Sequence, residues 1–156
     1  MDYLALKTEI QTDPANLGID DLIVTGRDTQ IADILNYKQY RGPVPIVEIS
    51  SYCVVNGIIG ACEVVASNQS MPDQLRAVCI TVTTLLRDDF RLTTCDTDDP
   101  AFQMACAGLI QAGLMTEDNV NDMYAMGENR YSRAEVVFGP GTYVSHTDVA
   151  IALRGN

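Results

Sequence analysis

The residues that could carry the most specific chemistry in this chain are its single histidine and its five cysteines. Cys53, Cys62, Cys79, Cys95 and Cys106 stand 9, 17, 16 and 11 residues apart. Zinc sites take their ligands from short elements such as Cys-x-x-Cys, where one turn presents two thiolates to a tetrahedral ion. The chain has no such pair, and no HxxxH or HExxH. An odd count without paired spacing also differs from a secreted disulfide framework. Cys53, Cys62, Cys79 and Cys106 have apolar neighbours, where a thiol packs as a small hydrophobe. Cys95 lies in a polar loop and is expected to be the exposed, reactive one.

A Cys–His nucleophile would have to use His146, which sits inside Ser145-His146-Thr147-Asp148, the pattern of a helix capping box. The positive end of that helix disfavours an imidazolium. No serine lies in a GxSxG elbow, and no GxxxxGK[ST] loop is present. The turn Gly139-Pro140-Gly141 lacks the lysine of a phosphate cradle. Asp96-Thr97-Asp98-Asp99 has the acids of a calcium loop but neither its turn glycine nor its closing glutamate. Pro100 follows, so Asp98 and Asp99 read as helix caps. Paired carboxylates at arbitrary spacing are the background of this composition. The expectation is a non-enzymatic chain with no catalytic residues, no metal site and no cofactor.

What remains suits binding. Tyr37, Tyr40 and Arg41 form one cluster of the residue types enriched at interface hot spots; Tyr124, Arg130, Tyr131 and Arg133 form a second. The competing reading packs these tyrosines at the rim of their own domain, with ring buried and hydroxyl wet.

Composition narrows the partners. The chain has 21 acidic and 10 basic residues, a net charge of −11, and no basic run. Phosphate contacts from Lys and Arg supply most affinity for nucleic acid, so specific binding to DNA or RNA is not expected. An acidic surface beside passing DNA would keep it from sticking. Charged residues make up only 20% of the chain, which leaves apolar surface to be covered by partners. MDYLALKTEI lacks the basic start and small-residue cleavage site of a secretory leader. The longest apolar stretch, Val54–Val65, is broken by Asn56, Gly57, Gly60 and Glu63 and reads as too polar to span a bilayer.

The elements that would position these residues are mostly helices. Helical spacing of apolar residues marks Asp2–Gln11, Asp20–Val24 and Thr29–Asn36, the last with Asp28 as its cap. Tyr37–Pro45 reads as an irregular exposed loop. Ile46–Ala66 carries strand-forming residues but has helical spacing, and reads as two helices meeting near Asn56-Gly57. Ser70–Asp88 has a long apolar stripe, with Pro72 in its first turn. Further helices start at Pro100 and end by Gly113, run over Glu117–Met126 after Thr116, and run over Ser132–Phe138. The last covers Val149–Leu153 behind the Ser145 capping box, with Gly155 closing it. The expected fold is mainly α: one compact domain, residues 1–156, of about six to eight short helices with a short extended or β segment.

The opening MDYLALKTEIQTDPANLGI resembles the LKxEIxTDP…GY opening of a group of small tailed-bacteriophage virion proteins, with Ile19 where the group has tyrosine. RYSRAEVVFGPGTYVSHTDVAIALRGN is similar to their ending in its Ser132-Arg133-Ala134-Glu135 stretch, its glycine-rich turn and its capped last helix. Gly113–Asn119 is similar to one of their helix starts. The resemblance covers about a third of the chain and leaves out Tyr37–Pro100, and the cysteines are unusual for the group. It implies a helical structural protein of the head or head–tail junction, working as copies in a ring or shell. The matching motifs are caps and turns, so no active-site residues come with them. The expected function is assembly, as a head–tail connector or neck adaptor in the virion after synthesis in the host cytoplasm. Portal, tail or capsid proteins and further copies of the chain are the expected partners, with no membrane. A capsid decoration or tail-terminator protein, or an acidic non-virion regulator of a host protein, are the alternatives.

Overall fold

The computed structural model describes residues 1–87 and 92–155. In chain order they form α1 (Tyr3–Thr12), α2 (Asp20–Val24), α3 (Asp28–Asn36), β1 (Lys38–Tyr40), β2 (Val44–Pro45), α4 (Ile46–Val55), α5 (Ile58–Ser67) and α6 (Asp73–Leu85). There follow β3 (Thr94–Cys95), α7 (Pro100–Gln111), α8 (Glu117–Met126), β4 (Tyr131–Ser132), α9 (Arg133–Phe138) and α10 (His146–Arg154). The fold is mainly helical, with ten helices among the described residues against the six to eight expected. The difference lies in the count alone, because each of the ten matches a segment marked in the sequence, the five- and six-residue α2 and α9 included.

Contacts divide the chain into two compact units: unit 1 is Met1–Arg41 with Asn129–Asn156, and unit 2 is Gly42–Glu128. The sequence reads as one domain because neither crossing carries a linker. Each crossing instead carries a backbone bond on either side. Arg130 N–H donates to Tyr40 O at 3.0 Å within unit 1, and Gly42 N–H donates to Gly127 O at 3.0 Å within unit 2.

In unit 1, Asp2 caps α1 by accepting from the N–H groups of Leu4 and Ala5, both at 3.0 Å. Asp13 ends α1, and its carboxylate gathers the N–H groups of Leu17, Gly18 and Ile19 at 2.7, 2.8 and 3.3 Å. That ring of bonds explains the TDPANLGI segment: Gly18 supplies the positive φ of 75° that the turn needs. α10 packs against α1 and α3 around Leu6, Ile10, Ile31, Leu35 and Val149. Asn36 fastens the extended Val144 by two bonds, Nδ2 to Val144 O at 2.7 Å and Val144 N–H to Oδ1 at 3.0 Å.

In unit 2, α4 and α5 meet at Gly57, whose φ of 71° makes the break, with an 80° bend between the two helices. α5 packs along α6, with Cys62 and Cys79 fully buried. Asp99 caps α7 by accepting from Ala101 N–H at 2.7 Å, with Pro100 at the first position. Thr116 and Asn119 form a capping box on α8. Tyr52 ties α4 to α8: its hydroxyl donates to Asp122 Oδ2 at 2.7 Å and accepts from Asn119 Nδ2 at 3.0 Å.

Three local expectations change. Tyr37–Pro45 is not an irregular loop throughout. β1 pairs antiparallel with β4 and β2 with β3, so partners far along the chain satisfy its backbone. Asp28 does not cap α3; it is the first helical residue, Arg27 occupies the cap position, and the Asp28 carboxylate pairs with Arg154. The Ser70–Asp88 helix is shorter, starting at Asp73 with Pro72 as its cap residue, and Asp88 lies outside the described residues.

Candidate functional site

The two tyrosine–arginine clusters are redistributed by the fold. β1–β4 pairing sets Tyr40 opposite Tyr131, both half-buried, so members of the two clusters meet in unit 1. Tyr37 is exposed at the end of α3, Arg41 is exposed, and Arg130 is half-buried. Arg133 is not on offer to a partner. Its guanidinium grips Glu9 with two bonds, Nε to Oε1 at 2.5 Å and Nη2 to Oε2 at 3.2 Å, with the two side chains only 18% and 9% exposed. Tyr124 belongs to unit 2, where it packs edge-on against Phe102 with ring centroids 6.3 Å apart.

The groups considered for chemistry are placed structurally. His146 is exposed at the first position of α10, and Ser145 and Asp148 bond reciprocally around it as a capping box. Among the described residues no three His, Cys, Asp or Glu side chains are placed to hold a metal ion. Cys95 is half-buried in β3, contrary to its expected exposure, because pairing with Val44 draws it inward. Burial pushes its thiol pKa up, and the charges of Asp96 and Asp99 push it further. Burial raises Cys53 and Cys106 to about 11 and Cys62 to about 12. These thiols stay protonated near neutral pH and act as apolar wall.

Two surfaces that the clusters did not indicate stand out, both in unit 2. The first is the outer face of α4 and α5. Each helix buries one side, through Ile49 and Cys53 and through Ile58, Cys62 and Val65, yet Val47, Val54, Val55 and Val64 on the other side are 60–84% exposed. A helix that is apolar all round is normally buried all round. The signal was visible as a run, Ile46–Ser67, holding only Glu48 and Glu63 as charges.

The second is a groove of about 630 Å³ between α6 and α7. Its α6 wall is Gln74, Ala77, Val78, Thr81, Val82 and Leu85, a stripe at helical spacing along the whole helix. Phe102 and Leu109 face it from α7, and the thiols of Cys53 and Cys106 line its inner wall. Asp96 and Asp99 also line it, and among the described residues no Lys, Arg or His does. Periodicity could mark the stripe but not the gap, which depends on side chains from several elements.

Charge separates the units. Unit 2 has twelve acidic and three basic residues, net −9; unit 1 has nine and seven, net −2. No protein-family model matches this chain, and no curated protein or solved structure does either.

Proposed function

We propose that this chain is a non-enzymatic assembly protein of a tailed-phage particle, a head–tail connector or neck component whose copies associate through the outer face of α4 and α5. The observation that carries self-association is that face, apolar where a monomer would be polar. Copies of a −11 chain repel, so their contact must avoid the charge, and Ile46–Ser67 has only two acids. The particle and the place in it come from the resemblance of the chain ends. Covering four valines that are about two-thirds exposed would contribute about 4 kcal/mol per copy, at about 1.5 kcal/mol for each side chain buried from full exposure. Immobilising two molecules costs a similar amount, so association is weak per contact and depends on concentration.

Light scattering on the full chain across a concentration series tests this. Assemblies larger than 17.0 kDa are expected, and Val54→Glu with Val55→Glu should return them to monomers with unchanged helicity. A monomer at every concentration would overturn self-association, and binding to lipid vesicles in place of copies would reassign the face. Neighbouring portal or capsid genes would support the virion role; early-gene neighbours would sink it.

A further inference from the structure

We infer that the groove between α6 and α7 is the docking site for a basic amphipathic helix of a partner protein other than this chain. The inference rests on reading the chain as an assembly protein but uses a different surface from the α4–α5 face.

The shape selects a helix. The α6 wall runs from Gln74 to Leu85, about 17 Å at 1.5 Å per residue, or three turns of a ligand helix lying along it. Its inner wall reaches side chains of the unit's own core, Cys53 and Leu109, so apolar volume is left unfilled beside a core that is otherwise close-packed. A helix laying apolar anchors at three- and four-residue intervals into such a slot is a recurrent mode of recognition.

Charge selects the partner. Asp96 and Asp99 flank the slot without a cation among its described lining residues, and the unit that holds it is at −9. A helix with cations beside its apolar stripe complements both features. A second copy of this chain does not provide that helix, since no described helix carries more than one Lys or Arg: Lys7 in α1, Arg76 in α6, Arg133 in α9 and Arg154 in α10. Its arginines in the described residues are engaged: Arg133 with Glu9, Arg154 with Asp28, Arg76 with Asp73, Arg87 with Glu63 and Arg27 with Gln30. Arg41 and Arg130 have partners too.

The test titrates the full chain into a fluorescent Leu/Lys amphipathic helix, a scrambled Leu/Lys peptide of the same composition, and a Leu/Glu helix with the same apolar stripe. The amphipathic Leu/Lys helix is expected to bind at least about tenfold tighter than either control. Ala77→Leu with Thr81→Leu, both at exposed positions of α6, fills the slot and should cost about tenfold. Asp96→Asn with Asp99→Asn keeps the α7 cap, since Asn caps as well as Asp, and should cost about three- to tenfold. Equal binding of the scrambled peptide would reduce the effect to diffuse attraction by a −11 surface and overturn the proposal. So would equal binding of the Leu/Glu helix, or full affinity in the filled variant. Loss of self-association in the filled variant would put a second copy in the groove. If the filled variant does not fold, the Asn pair and the Leu/Glu control still decide. Binding with no self-association leaves this site standing while the α4–α5 reading fails.

Discussion

Unit 1 and unit 2 solve the same problem, short helices around a small core, with opposite materials. Unit 1 is nearly neutral and is stapled by polar contacts: Glu9 with Arg133, Asn36 with Val144, Tyr3 with Asp148, and Glu135 with the N–H groups of Ser132 and Gly141. Unit 2 is at −9, contains all five cysteines, and leaves apolar surface both on α4–α5 and in the groove. Directional bonds fix one arrangement, whereas an apolar groove beside a packed core leaves surface that another chain could cover. On the proposed reading, unit 1 would serve as scaffold and unit 2 would carry the binding surfaces.

The sharpest test of that contrast is a matched core truncation. Leu6→Ala in unit 1 should cost about 4 kcal/mol, because Leu6 is fully enclosed. Leu109→Ala in unit 2 should cost only about 2 kcal/mol, because one flank of Leu109 already faces the groove. Urea unfolding followed by circular dichroism measures both, and equal losses would erase the distinction. Next come the ion pairs. Glu9→Ala should cost about 3 kcal/mol by leaving Arg133 uncompensated, whereas Glu63→Ala, at the exposed pair with Arg87, should cost under about 1 kcal/mol. Removing the Ser145 cap with Ser145→Ala should cost about 1 kcal/mol.

Acid should act on the units with opposite sign. The Ser132 N–H above all holds the Glu135 carboxyl below its ordinary 4.5, and the Ser145 hydroxyl and then its N–H hold Asp148 below its ordinary 3.8. The unfolded chain therefore takes up these protons first. The stabilisation is complete above the ordinary carboxylate range and is lost as pH falls through the lowered folded values. In unit 2 the same protons relieve self-repulsion. Hydrogen exchange between pH 6 and 3 should show α9 and α10 loosening before α5 and α6; the reverse order would contradict the division. The smallest effect is a labelling rate. Native protein at pH 8 should alkylate slowly at Cys53, Cys62 and Cys106, whose thiols burial holds at about 11, 12 and 11, so any fast site reports local opening of unit 2.

Much of the helical skeleton is legible wherever a start signal is local. Thr116 before Glu117, Asp99 before Pro100, and Ser145 with Asp148 each act within one turn, and those helices start where the residues indicate. Gly57 likewise marks the break between α4 and α5. Features that depend on distant partners are not legible. Asp28 looks like a cap until Arg154, 126 residues away, claims its carboxylate. Arg133 looks like an interface residue until Glu9 claims it across 124 residues. Strands of two or three residues have no periodicity to show, and the groove has no sequence at all: it is the space between stripes.

The two side-by-side crossings also set an order of events. α1 and α10 must find each other across more than 130 residues, so unit 1 cannot close until its last helix has left the ribosome. All of unit 2 is translated by Glu128, and its contacts are internal to that stretch. The contacts of unit 2 thus close over shorter stretches of chain than those of unit 1. Unit 2 is a continuous stretch that can be moved as one piece, whereas unit 1 exists only when two separated pieces of chain are joined.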